Sequence, residues 1–352
     1  MDISPYLKLM VDKSASDLFF TVGAPVKVKL EGKATSVGKN ELTSDLVKAA
    51  AYGIMNEAQR KFFEEELECD FAIGMPEGSE RFRVNVFRQR GDIAMVLRLI
   101  PSKIPSVDEL GVPQVLNEII MHKRGLVLMV GATGSGKSTT LAAMIDYRNE
   151  HQAGHILSIE DPVEFYHPNK RSIVNQREVG VDTHSYARAL KSSLREAPDV
   201  ILIGEIRDRE TMEAALELAN TGHLAISTLH ANNANQAMER IINMFPEELH
   251  KQLYMDLSLN LRAVISQRLV PDVRGKRCAA VEIMMSTPHI AELILKGDIG
   301  EIKEAMNDSG AKGMQTFDMS LYNLYKENRI TLEEALNNAD SRTNLEAKIN
   351  FG

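Results

Sequence analysis

The stretch Leu126–Ile145 constrains this chain more than any other part of it. An apolar run, Leu126-Val127-Leu128-Met129-Val130, leads into Gly131-Ala132-Thr133-Gly134-Ser135-Gly136-Lys137-Ser138-Thr139, and Thr140 to Ile145 continue with helix-forming composition. A buried strand, a glycine loop and a helix start make the phosphate-loop unit G-x-x-x-x-G-K-[ST]. The glycines let the backbone curl until several N–H groups point into one concavity at the positive end of a helix, where phosphate oxygens are stabilised. Lys137 is placed to reach the β- and γ-phosphates of a nucleotide. Ser138 is placed to hold Mg²⁺, a hard cation that takes oxygen ligands. The bland alternative is a glycine turn without nucleotide; the strand before it and the helix after it weigh against that.

The chain has 352 residues, which suggests two domains. No apolar stretch approaches the roughly 18–20 residues of a spanning helix, and the N-terminus, with Asp2, Lys8, Asp12 and Lys13, has no apolar signal core. Cytoplasmic residence without direct membrane insertion is the expectation. The net charge of −8 disfavours a general grip on nucleic acid. Cys69 and Cys278 cannot make a four-thiolate zinc site and read as packing residues.

Residues 1–100 read as an α+β domain. Helices are expected at Ile3–Val11, Ser44–Met55 and Asn56–Leu67. Strands are expected at Asp17–Val22, Val26–Leu30, Asp70–Met75, Arg81–Phe87 and Ile93–Ile100, with a hairpin turn at Pro76–Ser79. Residues 101–113, with three prolines, read as a linker. From 114 to 352 short apolar strands at 126–130, Ile156–Ile159, Val200–Ile203 and Leu224–Thr228 alternate with helical segments, the pattern of an α/β domain with a parallel sheet. From about residue 288 the chain turns helical, and Ser341–Gly352 reads as a loosely held tail.

In parallel sheets ligands sit at the carboxyl ends of the strands. Here those ends are the phosphate loop, Glu160-Asp161-Pro162-Val163-Glu164, Gly204-Glu205-Ile206-Arg207-Asp208, and Thr228-Leu229-His230. Glu205 is a candidate for Mg²⁺ or for the attacking water; its structural alternative is an ion pair with Arg207 or a lysine. Glu164 is the other candidate water activator. His230 is favoured over His223, which lies seven residues earlier near the Thr221-Gly222 turn.

These four motifs resemble the Walker A, Asp-box, Walker B and His-box of secretion-superfamily ATPases, in that order along the chain. Within them the chain is similar to the type IV pilus retraction ATPases, PilT and PilU. The pilus-assembly ATPases carry a tetracysteine zinc insert for which this chain has no cysteines. The segments Thr228–Gln236 and Arg240–Pro246 look PilU-like, and His289-Ile290-Ala291-Glu292-Leu293-Ile294-Leu295-Lys296 lacks both arginines of the matching PilT helix. The resemblance implies a PAS-like N-terminal domain, a RecA-like C-terminal domain and a homohexamer that hydrolyses ATP with Mg²⁺. It implies that Arg83, Arg98 and Arg195 neutralise phosphates. It also implies a place peripheral to the inner membrane at the pilus base, with PilT and a PilC-like platform protein as partners. A PilT-dependent accessory to retraction is the reading; a principal retraction motor, or a ring scaffold using ATP for assembly, are its alternatives.

Overall fold

The computed structural model describes residues 1–30, 33–75, 80–100 and 103–351. The hairpin turn expected at 76–79 and the first two linker residues lie outside them. The chain divides into one unit of residues 1–103 with 164–166, and another of 104–163 with 167–352.

In the first unit the order is α1 (Ser4–Asp12), β1 (Asp17–Phe20), β2 (Lys27–Leu30), β3 (Lys33–Ser36), α2 (Ser44–Ile54), α3 (Glu57–Glu66), β4 (Glu68–Gly74), β5 (Arg81–Gln89) and β6 (Asp92–Ile100). The strands form an antiparallel sheet in the order β3-β2-β1-β6-β5-β4. Alternation decides its faces. Phe82, Val84 and Val86 of β5 are fully buried with Phe20, Phe63 and Met95, while Arg83 and Asn85 take the other face. A reciprocal capping box between Asn56 and Gln59 starts α3. The exposed strand β3 was not expected.

The second unit begins with α4 (Val107–Leu110) and α5 (Val115–Ile120), so the segment read as linker contributes a capped helical turn, with Val107 and Val112 buried in this unit's core. Then follow β7 (Gly125–Val130), α6 (Lys137–His151), β8 (Gly154–Glu160), β9 (Ser172–Glu178), α7 (Tyr186–Ser193), β10 (Val200–Glu205), α8 (Arg209–Asn220), β11 (Leu224–Leu229), α9 (Ala234–Ile242), α10 (His250–Asn260), β12 (Leu261–Pro271) and β13 (Arg277–Met285). The sheet runs β13-β12-β7-β11-β10-β8-β9 and is parallel throughout except for β13, which pairs antiparallel with β12. The expected parallel sheet is therefore mixed at one edge. Strand β7 shows why its sequence is continuously apolar: Leu126, Leu128 and Val130 enter one core, Val127 and Met129 the other.

Helices α11 (Pro288–Lys296), α12 (Ile302–Asp308), α13 (Phe317–Lys326), α14 (Leu332–Asn338) and α15 (Arg342–Phe351) close the chain. The loosely held tail is corrected by α15. Its Leu345 is 1% exposed and packs in a cluster with Phe317, Leu321 and Val270, a burial worth roughly 1.5–3 kcal/mol for such a side chain. Cys69 and Cys278 are free and buried.

Candidate active site

The order β7-β11-β10-β8 makes the four reactive strand ends immediate neighbours. After β7 the loop turns at Gly131, Gly134 and Gly136, all at positive φ. At two of them glycine is required by space as well. A Cβ on Gly131 would lie 2.5 Å from Ser135 Oγ and 2.6 Å from the Gln267 carbonyl oxygen, and one on Gly136 would lie 2.7 Å from Gln267 Nε2. Gly136 is also the N-cap of α6, and no side chain caps that helix, so its leading N–H groups are left to an anion. Lys137 is buried and its Nζ donates to the carbonyls of Gly131 (2.7 Å) and Ala132 (3.0 Å), which draws the ammonium over the loop. The buried Ser135 Oγ makes no hydrogen bond. These features fit a phosphate-bearing ligand.

Next to the loop, β11 ends in His230 and β10 in Glu205. Glu205 holds both neighbours at once: Arg207 Nε donates to Oε2 at 2.7 Å, and His230 Nε2 lies 3.1 Å from Oε1. The ion pair that the structural alternative expected is present, together with a contact between two candidate site residues. One strand further out, Glu160 accepts from Ser158 and Gln176. Tyr186 sits under these ends, with its hydroxyl 2.6 Å from where a Cβ on Gly204 would be. Burial, then the nearby Asp161, raise its phenol above the usual range. His223, at the other end of β11, lies with Nδ1 3.1 Å from both Thr221 Oγ1 and the Leu218 carbonyl, hydrogen-bonded at the turn. Glu164 and Arg195 are exposed; Arg195 lies just after α7.

In the first unit Arg83 and Arg98 are direct cross-strand partners on β5 and β6. Two like charges in such a position are unfavourable without compensation. Each is tethered through Nε: Arg98 to the buried Asp17 at 2.8 Å, Arg83 to Asp70 at 3.9 Å. The result is a paired guanidinium surface on the face away from the core.

Among the described residues no group of three or more His, Cys, Asp or Glu is gathered to cage a metal. Ser138 and Glu205 would offer one hydroxyl and one carboxylate, a donor set of the kind that Mg²⁺ takes together with waters and phosphate oxygens.

Sequence reasoning missed Gln267, which is 2% exposed in the second half of β12, one residue past the partner of Val130 at the end of β7. Its Nε2 donates to the Ser135 carbonyl at 2.8 Å and its Oε1 accepts from Thr140 at 2.8 Å. Nothing local in the sequence signals this, because the partners are more than 120 residues away. Depressions of about 440 and 270 Å³ flank the loop. Gly131 and Ala132 line both, His230 and Arg240 the larger, and Gln267 and Arg268 the smaller.

Comparison with known proteins follows the same lines. The family described as Type II/IV secretion system protein matches residues 2–341. The type IV pilus ATPase PilU of Pseudomonas aeruginosa is 52% identical over 353 aligned positions, covering 100% of this chain and 92% of that protein. The type IV pilus retraction ATPase PilT of the same organism is 45% identical, covering 95% of this chain and 97% of that one. A crystal structure of the pilus retraction motor PilT with bound ADP is similar with a TM-score of 0.91 at 42% identity, over 98% of this chain and 99% of that one. The chain belongs to the Type II/IV secretion system protein family and, within it, to the PilT/PilU group of pilus ATPases.

Proposed function

We propose that this protein is an ATPase of the type IV pilus machine that hydrolyses ATP in support of pilus retraction, as a PilU-like accessory to PilT. The chemistry is carried by one observation: the glycine loop with its buried Lys137 stands beside the Glu205–His230 pair on neighbouring strand ends. The pilus assignment rests on similarity to PilU along the whole chain.

The residues divide the work as follows. Gly131 to Thr139 bind the phosphates through backbone N–H groups, with Lys137 adding a charge that no backbone group supplies. Ser138 and Glu205 would hold Mg²⁺, which would supply positive charge to the phosphate oxygens. Arg207 and His230 hold the Glu205 carboxylate in place, one on each oxygen. Glu164, an exposed carboxylate, takes the role of water activator. His230 is held with its Nε2 toward Glu205, leaving Nδ1 for a second contact. Arg83, Arg98 and Arg195 supply cations to the phosphates. The first unit is PAS-like, the second RecA-like, and the working form is a cytoplasmic homohexamer at the inner-membrane pilus base, acting with PilT on a PilC-like platform protein.

The test is retraction force in cells carrying Lys137→Ala, with PilT active and with PilT catalytically silenced. The accessory reading expects measurable loss with PilT active. With PilT silenced, wild-type protein sustains retraction and the Lys137→Ala protein does not. Full retraction by Lys137→Ala cells with PilT active, together with none by wild-type protein when PilT is silenced, would leave only the ring scaffold.

A further inference from the structure

The second half of β12 touches more of the site than any motif suggested. Gln267 faces the phosphate loop with both ends of its amide used, by the Ser135 carbonyl and the Thr140 hydroxyl. Its carbonyl oxygen and Nε2 also lie 2.6 and 2.7 Å from where Cβ atoms on Gly131 and Gly136 would be, so the loop's main chain is packed directly on it. The next residue, Arg268, points the other way on the pleat. Its Nη2 donates to Asp340 Oδ1 at 2.7 Å and to the Asn232 carbonyl at 3.3 Å, its Nη1 to the Asn338 carbonyl at 3.0 Å, and its guanidinium lies 3.9 Å from the centre of the Phe317 ring. Asn232 follows His230 by two residues.

Asp340 joins α14 to α15 and gathers the C-terminal helices. It accepts from Lys303 of α12 at 3.0 Å, and its own N–H donates to Asp318 of α13 at 2.7 Å. Its side chain is 11% exposed. A chain of short polar contacts thus runs from three C-terminal helices through Asp340 and Arg268 to the segment after His230. One residue back along β12, it reaches the phosphate loop through Gln267.

We infer that Gln267 and Arg268 are positioning residues through which the seating of the C-terminal helices, held by Asp340, sets the affinity of the phosphate loop for nucleotide. The inference rests on the loop being the nucleotide site. A purely structural role for the same contacts would lower thermal stability and leave the affinity of the folded protein alone. A positioning role moves affinity, and it makes the effects of Gln267 and Asp340 non-additive.

The experiment is titration of the full-length protein with fluorescent mant-ADP, alongside steady-state ATP hydrolysis and thermal melting, for Gln267→Leu, Asp340→Asn and the double variant. Each single change is expected to weaken mant-ADP binding about tenfold, the worth of one lost buried or charge-assisted hydrogen bond. KM for ATP rises more than kcat falls. In the double variant the second change costs less than about twofold further, because the same strut is already broken. If Gln267→Leu fails to fold, Thr140→Val removes only the hydroxyl that Gln267 Oε1 accepts from, and is expected to weaken binding about fivefold. Unchanged mant-ADP affinity in the folded single variants, or effects that multiply fully in the double, would overturn the inference. Lys137→Ala separates the two readings. If it binds mant-ADP as wild type does, the nucleotide site itself is misplaced. If only it loses binding, the coupling alone is wrong.

Discussion

Gly131 and Gly134 look equivalent in the loop sequence, yet the structure separates them, and an alanine at each is predicted to behave differently. Gly131 has φ +154 and no room: an added Cβ meets Ser135 Oγ at 2.5 Å and the Gln267 carbonyl oxygen at 2.6 Å. The second contact is backbone in a central strand, which cannot swing aside. The backbone strain is worth about 1–3 kcal/mol and the forced displacement a further 1–3 or so, together about 2–6 kcal/mol. Gly134 has φ +78 and nothing within 4 Å, so its alanine carries only the left-handed penalty of roughly 1–2 kcal/mol. If the loop relieves the strain by moving, the loss appears in binding: at least about thirtyfold for Gly131→Ala, and roughly five- to thirtyfold for Gly134→Ala. Mant-ADP titration of the two purified variants, with melting curves as the control for folding, reads both. Equal damage at the two positions, or greater damage at Gly134, would refute the loop packing described above.

Further expectations follow from the same contacts. Arg98→Ala strips the 2.8 Å partner from a buried Asp17, so it is expected to destabilise the first unit by about 1–3 kcal/mol. Arg83→Ala, whose Asp70 is half exposed at 3.9 Å, is expected to change stability by less than about 0.5 kcal/mol. Hydrogen exchange in β1 and β6 distinguishes the two, while both lower ATP turnover. Leu345→Ala is expected to cost about 2–5 kcal/mol and to expose α15 to proteolysis; a helix equally resistant in both proteins would contradict its packing. His167 is buried and its pKa is pushed down to about 4, first by burial and then by Lys170. The unfolded chain therefore takes up this proton first, so the stability it contributes is complete above about pH 6.5 and is lost as pH falls towards 4. That loss is worth roughly 3 kcal/mol. His167→Phe is expected to flatten this acid limb in unfolding measurements, and an unchanged limb would show that other groups carry it.

Much of the site was legible in the sequence because its strands are covered on both faces, which makes them continuous apolar runs, and because each run ends abruptly in charge. The glycine loop, Glu205 and His230 were found that way. Strand β12 was not, because Ser266, Gln267 and Arg268 interrupt its apolar pattern. Buried polar residues are explained by partners distant in the chain, here Glu282, Ser135, Thr140 and Asp340. Strand β9, Ser172–Glu178, is an edge strand that buries Ser172 and Val174 and exposes Ile173, so its apolar residues do not alternate in the sequence although its burial does. Helix α15 did carry a signal that its polar composition hid: Leu345 and Ile349 are four residues apart, and both pack in the C-terminal cluster. The pairing of Arg83 with Arg98 depends on strand register, which their separation of fifteen residues does not fix.

The central claim is that this chain turns over ATP at its phosphate loop with the charge of Lys137. The most direct measurement is ATP hydrolysis by the purified full-length protein in Mg²⁺, wild type against Lys137→Ala, with both shown folded by melting. The expected result is turnover by wild type and a background rate for the variant. Turnover by Lys137→Ala at the wild-type rate would contradict the account.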